Sequence, residues 1–362
     1  MAARAWFSLA ALAALASTSQ AQGPQASALI GAEYRSVSFG DGYRGTKVLS
    51  EFAVPIGMTV PLGRRFTADV GTYFVSASMT DDADSTFTIS GLTDVIVRGA
   101  FQLKQDVAVL TVSLNLPTGT ATLDDDQTRV AGATATDLIP YPVQNFGSGF
   151  NVTTGVALAA PVGSWALGIA GSYRLNGAYE PFSSIDTSLT PGGEVRMRLG
   201  ADRIVGQGRV SLGVTYSTFS SDDFGARSNK PGARIIPQAS WAFPVGNNSL
   251  SLYLWDIYRS AGQDTTLGGK ENTLALGAIF SLRTGRNVLR PQLEYRMAQK
   301  DFGSGMEANG NLLGLSLRYA LAASSRLTVV PGMRLDVGSL PDGATSTSFT
   351  GYNASLTIRT TF

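Results

Sequence analysis

Histidine and cysteine are both absent from the 362 residues. Without an imidazole, Ser-His-Asp and Cys-His catalysis have no base. His-based zinc or iron sites cannot form either, and without cysteine there is no disulfide framework. The His-dependent phospholipases, deacylases and proteases of the outer membrane drop out with them. Charge is scarce: charged residues make up 15% of the chain and the formal net charge is +1, which leaves no electrostatic case for a nucleic-acid partner. Beyond residue 21 no apolar run is long enough to cross a bilayer as a helix, and Leu-rich helical periods are missing. Helical membrane proteins and helical soluble domains are therefore both excluded.

The first 21 residues form a unit of their own. Arg4 supplies a positive start, Trp6 to Ala16 an apolar stretch, and Ser19-Gln20-Ala21 small residues at the two cleavage-determining positions. The stretch is too short to span a bilayer and has no stop-transfer flank. The expectation is a signal peptide over 1–21, export through the Sec pathway, and a mature chain starting at Gln22. No cofactor is implied. The rest, 22–362, is expected to be one domain, and Gln22 to Ala28 is too short to act as a plug.

What is abundant is glycine, 41 residues, together with Ser and Thr, in short alternating strands broken by Gly, Asn, Asp and Pro. Tight turns are expected at Pro61 to Arg64, Lys104 to Asp106, Gly163 to Ser164, Gly206 to Gly208, Gly246 to Asn248, Thr284 to Asn287 and Ala323 to Ser325. Most lie about 40 residues apart, the length of two membrane strands and one longer loop. Between them fall longer polar segments, read as loops: Gly40 to Lys47, Thr80 to Ser90, Glu180 to Thr190, Ser221 to Ala233, Gly262 to Lys270, Asp301 to Gly310 and Ser339 to Ser348. Short connections on one side and long ones on the other are the asymmetry of a bacterial outer-membrane barrel. The fold class expected is all-β: a transmembrane antiparallel up-and-down β-barrel of about 16 strands (roughly 14–18), with both termini in the periplasm. Several outer loops are acidic, with Asp81, Asp82 and Asp84 in one and Asp124 to Asp126 in another.

Alternation assigns the two faces, because successive side chains on a strand point opposite ways. Leu313, Leu315, Leu317, Tyr319 and Leu321 alternate with Gly314, Ser316, Arg318 and Ala320. Val195, Met197 and Leu199 alternate with Glu194, Arg196 and Arg198. An Arg turned to lipid at mid-depth costs roughly 2–4 kcal/mol, so a reversed register would incur that cost many times. The lumen-facing set is then Arg98, Arg174, Arg196, Arg198, Arg290, Arg296, Arg318, Arg334 and Arg359, with Glu51, Asp69, Glu194, Glu294 and Asp336. A soluble two-sheet sandwich would alternate too, but with its polar face outside and without the export signal. It would also lack the final strand, where Tyr352, Ala354, Leu356, Ile358, Thr360 and Phe362 share one face and the chain ends on Phe362. A terminal aromatic on such a strand matches the signal read by the barrel-assembly machinery, which becomes an expected partner.

Gly91-Leu92-Thr93-Asp94 opens one strand, and Val112-Ser113-Leu114-Asn115-Leu116-Pro117-Thr118-Gly119 closes the next. This pair resembles the "GLGD … KLPTG" pair of outer-membrane proteins of the phenol-degradation MetA-pathway type, distant relatives of the fatty acid and toluene transporter barrels. Gly147-Ser148-Gly149 and the strand Trp165 to Gly177 fit the same layout, so the likeness covers the central third of the chain. It implies passive uptake of small, often hydrophobic or aromatic compounds. The fatty-acid transporters carry an N-terminal hatch, which Gln22 to Ala28 cannot build.

The expectation for function is an outer-membrane channel, in a Gram-negative-type bacterium, for passive uptake of small molecules. About 16 strands enclose more volume than strand side chains fill. Nine arginines against five acids on the inner face favour anionic solutes, while Arg–Glu pairing across strands is the plainer reading of any single residue. The alternative is a non-conducting structural or adhesive barrel, against which most outer loops are short. An enzyme would have to rely on carboxylate, Lys, Ser or Tyr chemistry, and no pair such as Glu194 and Glu294 can be placed close together from sequence. The longest connection, Thr118 to Phe146, either folds into the pore as a constriction, with Asp124, Asp125, Asp126 and Arg129 facing a basic wall, or stands as an extracellular flap. Outer-membrane lipid, lipopolysaccharide and a small-molecule solute complete the expected partners.

Overall fold

The computed structural model describes residues 25–362 apart from 105–106, 265–268, 302–305 and 343–344, so the expected signal peptide at 1–21 lies outside the described residues. Twenty strands follow in order. They are β1 (Ser27–Tyr43), β2 (Thr46–Leu62), β3 (Phe66–Asp81), β4 (Thr86–Leu92), β5 (Val95–Lys104), β6 (Ala108–Leu116), β7 (Asn151–Val162), β8 (Trp165–Asn176), β9 (Leu189–Thr190) and β10 (Glu194–Val205). Then come β11 (Gly208–Phe219), β12 (Asp222–Phe224), β13 (Arg227–Asn229), β14 (Arg234–Val245), β15 (Asn248–Arg259), β16 (Glu271–Thr284), β17 (Asn287–Asp301), β18 (Met306–Ala322), β19 (Leu327–Asp342) and β20 (Thr345–Thr361). One helix, α1 (Asp125–Thr134), lies between β6 and β7.

All but β9, β12 and β13 join one antiparallel sheet, with β4 and β5 forming the two halves of one interrupted strand along β3. The sheet closes where β1 pairs with β20, from Ser27 opposite Thr361 to Phe39 opposite Phe349. The result is a closed 16-strand barrel. β9, β12 and β13 form a separate 3-stranded sheet among the long loops.

Turn chemistry sets the short end. Gly163-Ser164, Gly206-Gln207, Gly246-Asn247 and Gly285-Arg286 each join directly paired residues, such as Val245 and Asn248. In each the glycine has φ near 60°. That is the pattern of a two-residue turn with Gly first, whose twist suits the flanking strands.

The opposite end corrects several of the expected loops, Thr80 to Ser90 among them, where the β3–β4 ladder runs on to Thr80 opposite Thr86. Gly40 to Lys47 is not an open loop: after an irregularity beyond Ser38 opposite Val48, β1 and β2 pair again at Tyr43 opposite Thr46 across the turn Arg44-Gly45, both with positive φ. Ser339 to Ser348 likewise continues the β19–β20 ladder as far as Asp342 and Thr345. Apolar alternation stops where strands leave an apolar surrounding, but backbone pairing has no such limit. The polar tips of these strands therefore read as loops in sequence.

The outward face is apolar over a broad band: Val195, Met197 and Leu199 on β10, Leu313, Leu315 and Leu317 on β18, Tyr352, Leu356 and Ile358 on β20 are all exposed. Exposed aromatics fall in two rows. Phe101, Trp241 and Phe362 lie toward the short-turn end; Tyr34, Phe74, Tyr173, Tyr216, Tyr295 and Tyr352 lie toward the long-loop end. Inward residues behave differently at the two ends. In the short-turn half, Arg290, Arg318 and Arg359 are exposed although they point inward. In the long-loop half, Arg35, Glu51, Ala53, Leu312 and Asp336 are buried on the same inner face. The barrel is thus hollow and wet at one end and filled at the other.

A valine at Gly246 tests the turn. Left-handed backbone costs an L-residue roughly 1–2 kcal/mol, so Gly246→Val should lower the urea-unfolding stability of the refolded barrel by about that amount, while Asn247→Val should change it much less.

Candidate functional site: the plugged lumen

The filling is the connection between β6 and β7, residues 117–150, which folds into the barrel. Its two arms leave the wall at one joint, built on Asp94 in the break between β4 and β5. The Asp94 carboxylate accepts from the Gly119 amide (3.0 Å), the Ser148 amide (2.8 Å), the Ser148 hydroxyl (3.2 Å) and the Asn115 carboxamide (2.6 Å). The Thr118 hydroxyl donates to the Thr93 carbonyl and accepts from the Val95 amide. The Thr120 amide donates to the Phe146 carbonyl, joining the arms. A Cβ at Gly119 would lie 2.2 Å from the Phe146 oxygen, and one at Gly147 2.7 Å from the Ala121 nitrogen. The motif pair Gly91 to Asp94 and Leu116 to Gly119, with Gly147-Ser148, is therefore the fastening of this segment.

From the joint, α1 starts at Asp124, whose side chain accepts from the Gln127 amide while the Gln127 side chain accepts from the Asp124 amide, a capping box. Val130 and Thr134 are its fully buried residues. The chain then crosses the lumen as Leu138-Ile139-Pro140-Tyr141-Pro142-Val143. Leu138, Ile139, Tyr141, Val143 and Phe146 are buried against Val37, Phe39, Leu49, Val75, Met79, Ile89, Leu312 and Phe349, inward residues of β1 to β4, β18 and β20.

Polar contacts hold the crossing to the far wall. Arg259 on β15 pairs with Asp137 at 2.5 Å, and Arg296 on β17 donates to the carbonyls of Asp137 (3.0 Å) and Leu138 (3.3 Å). On the near wall the Val143 amide donates to Glu51 at 2.8 Å, and the Arg35 guanidinium lies over the Tyr141 ring. Burial pushes the Tyr141 hydroxyl up, so it stays protonated.

The arginines of this wall are wired through glycines. Arg334 on β19 crosses Gly314 on β18 to reach Glu294 on β17 at 2.9 Å; a Cβ at Gly314 would sit 2.2 Å from that guanidinium. Tyr253 crosses Gly277 in the same way and donates to Glu294 at 2.6 Å. Arg334 also pairs with Asp336 at 2.8 Å, Asp336 with Arg35, and Arg296 with Glu294 at 3.0 Å. The chain Tyr253–Glu294–Arg334–Asp336–Arg35 thus runs from β15 to β1 at the height of the plug.

The other expected residues fall as follows. Glu194 is held by Arg196 (2.9 Å) and Arg234 (3.2 Å), so it and Glu294 sit in separate arginine clusters on β10 and β17. Arg98 approaches Asp69 at 3.6 Å, and Arg174 donates to Asn176. Among the described residues Arg198, Arg290, Arg318 and Arg359 form no ion pair. Asp124, Asp125 and Asp126 are exposed at the start of α1 and do not face a basic wall. Asp125 accepts from Ser184 in the neighbouring loop, and Arg129 pairs with Asp81 and lies over the Phe87 ring. The residues that close the lumen, 137–146, were not singled out in sequence. Two signals point to them: an apolar run inside a connection, and strands with apolar residues on both faces near one end, such as Leu312-Leu313.

No family model matches the sequence, and no curated protein does. Three solved structures are among those it resembles, and one of them, CdiB, shares the fold. CdiB from Acinetobacter baumannii is 9% identical with a TM-score of 0.53, over 93% of this chain and 61% of that one. The CymD monoaromatic hydrocarbon channel is 13% identical with a TM-score of 0.44, over 94% of this chain and 89% of that one. An outer membrane channel from Pseudomonas putida F1 is 14% identical with a TM-score of 0.40, over 95% and 97%. At 9% identity the likeness to CdiB is one of fold alone.

The joint makes a direct prediction. Asp94→Ala leaves buried donors unpaired at about 1–3 kcal/mol each, so protease cleavage within 117–150 should rise strongly while the folded barrel still forms. Asp94→Asn should behave alike, since its amide would face donors. Wild-type protease resistance in both variants would show that Asp94 does not fasten the segment.

Proposed function

We propose that the chain is an outer-membrane channel for passive uptake of small molecules, with its short turns in the periplasm and its acidic loops outside. The observation that carries this reading is the barrel's two faces. A band of Leu, Val, Ile and aromatic side chains lies outside, and an arginine-lined, solvent-open half-lumen lies inside. The two aromatic rows match the girdles such barrels place at the two membrane interfaces, and Arg203 over the Trp165 ring at the short-turn end is the pairing expected at a headgroup level. Outward contacts are then with lipid and lipopolysaccharide. Insertion is expected to run through the Sec pathway and the barrel-assembly machinery, with Phe362 as the recognition residue.

The plug turns a wide barrel into a selective one. Solutes pass beside 137–146 or displace it, and they meet arginines below it. That lining favours anionic solutes over the hydrophobic or aromatic ones that the motif resemblance implies. Kinship with the MetA-pathway type is part of this reading, supported by the motif residues forming the plug's fastening. Glu194 and Glu294, each neutralised by arginines, support a wall role rather than an acid–base one.

Two experiments test it. Liposomes carrying the protein should swell in small sugars, and replacing 137–146 by a Gly-Ser linker should admit larger ones; no swelling with either protein would leave the non-conducting barrel as the answer. In bilayer refolding, Leu315→Arg on the outward face should cost roughly 2–4 kcal/mol, whereas Gln238→Arg on the inward face should cost little. Equal costs would sink the assignment of faces.

A further inference from the structure

We propose that the wall directly beneath the plug holds a carboxylate-binding site centred on Arg318 and Arg290, and that the solutes are small organic acids. The solute assignment rests on the channel reading; the site itself does not.

Arg290 on β17 and Arg318 on β18 are directly opposed partners in the ladder. Like charges placed opposite one another destabilise a sheet. Elsewhere on this wall the problem does not arise, because Arg35, Arg296 and Arg334 each have a carboxylate. Arg290 and Arg318 have none among the described residues, and both open to the lumen. The sheet therefore keeps two arginines on one rung without a counter-ion; Arg318 leans over Gly332 of β19 toward the cavity described next, and a bound anion there would offset the charge of the pair.

Above them lies a cavity of about 30 Å³, lined by Arg318, Arg35, Arg334, Ser316 and Asn353, with Pro140 of the plug among its walls. Glu33 also lines it, with its Oε1 taken by the Asn353 carboxamide at 2.7 Å. The pocket is narrow and opens to the lumen, so a carboxylate can enter it while the rest of an acid stays outside. Arg35 is almost fully buried there, and its Nε has no hydrogen-bond partner. A guanidinium fork matches the two oxygens of a carboxylate, and Arg318 is the guanidinium at this cavity without a carboxylate of its own. The rest of such an acid would lie in the open lower lumen, so an extended anion meets this site before the plug from the periplasmic side and after it from outside.

Calorimetric titration of the purified, refolded protein in detergent tests the site. The probes are sodium benzoate, sodium phosphate and the neutral analogue benzyl alcohol, at matched ionic strength. Benzoate should bind saturably and benzyl alcohol should not. Losing a charged hydrogen-bond pair should weaken benzoate roughly tenfold or more in Arg318→Gln, with a smaller loss in Arg290→Gln. Arg318→Lys, which keeps the charge without the fork, should fall between. The heat-dependent gel mobility of each variant reports folding, and if Arg318→Gln fails to fold, the comparison of Arg318→Lys with Arg290→Gln decides in its place. Benzyl alcohol binding as tightly as benzoate, phosphate binding as tightly as benzoate, or unchanged benzoate affinity in the variants would each overturn the assignment. Liposome swelling separates the two readings. Swelling without benzoate binding removes the site and leaves the channel; benzoate binding without swelling removes the channel and leaves the site.

Discussion

Everything in this molecule depends on the backbone ladder closing on itself. In hydrocarbon an unpaired N–H or C=O has no water to turn to, so a sheet can stand there only without edges. Here the first strand meets the last over thirteen consecutive residue pairs, Ser27 with Thr361 through Phe39 with Phe349. Closure then dictates the rest in turn. A cylinder of this many strands has two faces, the pleat sends alternate side chains to each, and the inner face encloses more space than its own side chains occupy. What fills or wets that space becomes the functional question.

The answer is divided along the barrel axis. Toward the long loops, the segment between β6 and β7 fills part of the bore with an apolar turn. Its base is rigidly built, because a buried carboxylate collects donors from both arms and glycines remove the side chains that would keep the arms apart. Its tip is held differently. There the contacts are guanidinium to carbonyl, guanidinium to carboxylate and amide to carboxylate, and three buried polar atoms of the seam have no partner: Arg35 Nε, Glu51 Oε2 and the Tyr141 hydroxyl. Desolvated charges return less than apolar contacts of the same size, and each orphaned atom subtracts further. The tip thus combines an apolar contact with β1 to β4, β18 and β20 with a polar, incompletely satisfied seam that fixes its position.

The arginine network gives that tip its address. Glycines at 277 and 314 let Tyr253 and Arg334 lie flat across a neighbouring strand, so polar groups two strands apart meet over a floor with no side chain. The wall is consequently stiff where it touches the plug and unbalanced in charge just below it, at Arg290 and Arg318. One stretch of wall thus supports both the closure and the proposed recognition of solute.

Much of this was legible in the sequence. Period-two alternation and the penalty for a lipid-facing arginine were enough to place Arg98, Arg196, Arg296 and Arg334 on the inner face, and Gly-first turns such as Gly246-Asn247 marked the short end, because those signals are local to one strand or one turn. Strand ends were not legible at Gly40 to Lys47 or Ser339 to Ser348, since pairing outlasts the apolar pattern that reveals it. The plug was visible only as a long connection carrying Asp124 to Asp126, whose charges drew notice although they cap a helix at its outer start. That Leu138 to Val143 fills the bore, that Asp94 fastens both arms, and that Arg318 is left without a carboxylate while Arg334 shares two, are facts about residues tens to hundreds of positions apart. The chain alone determined the cylinder and its two faces, because local periodicity suffices for those; only closure in three dimensions decided which inward side chains would meet, and so where the bore is shut and where it stays open.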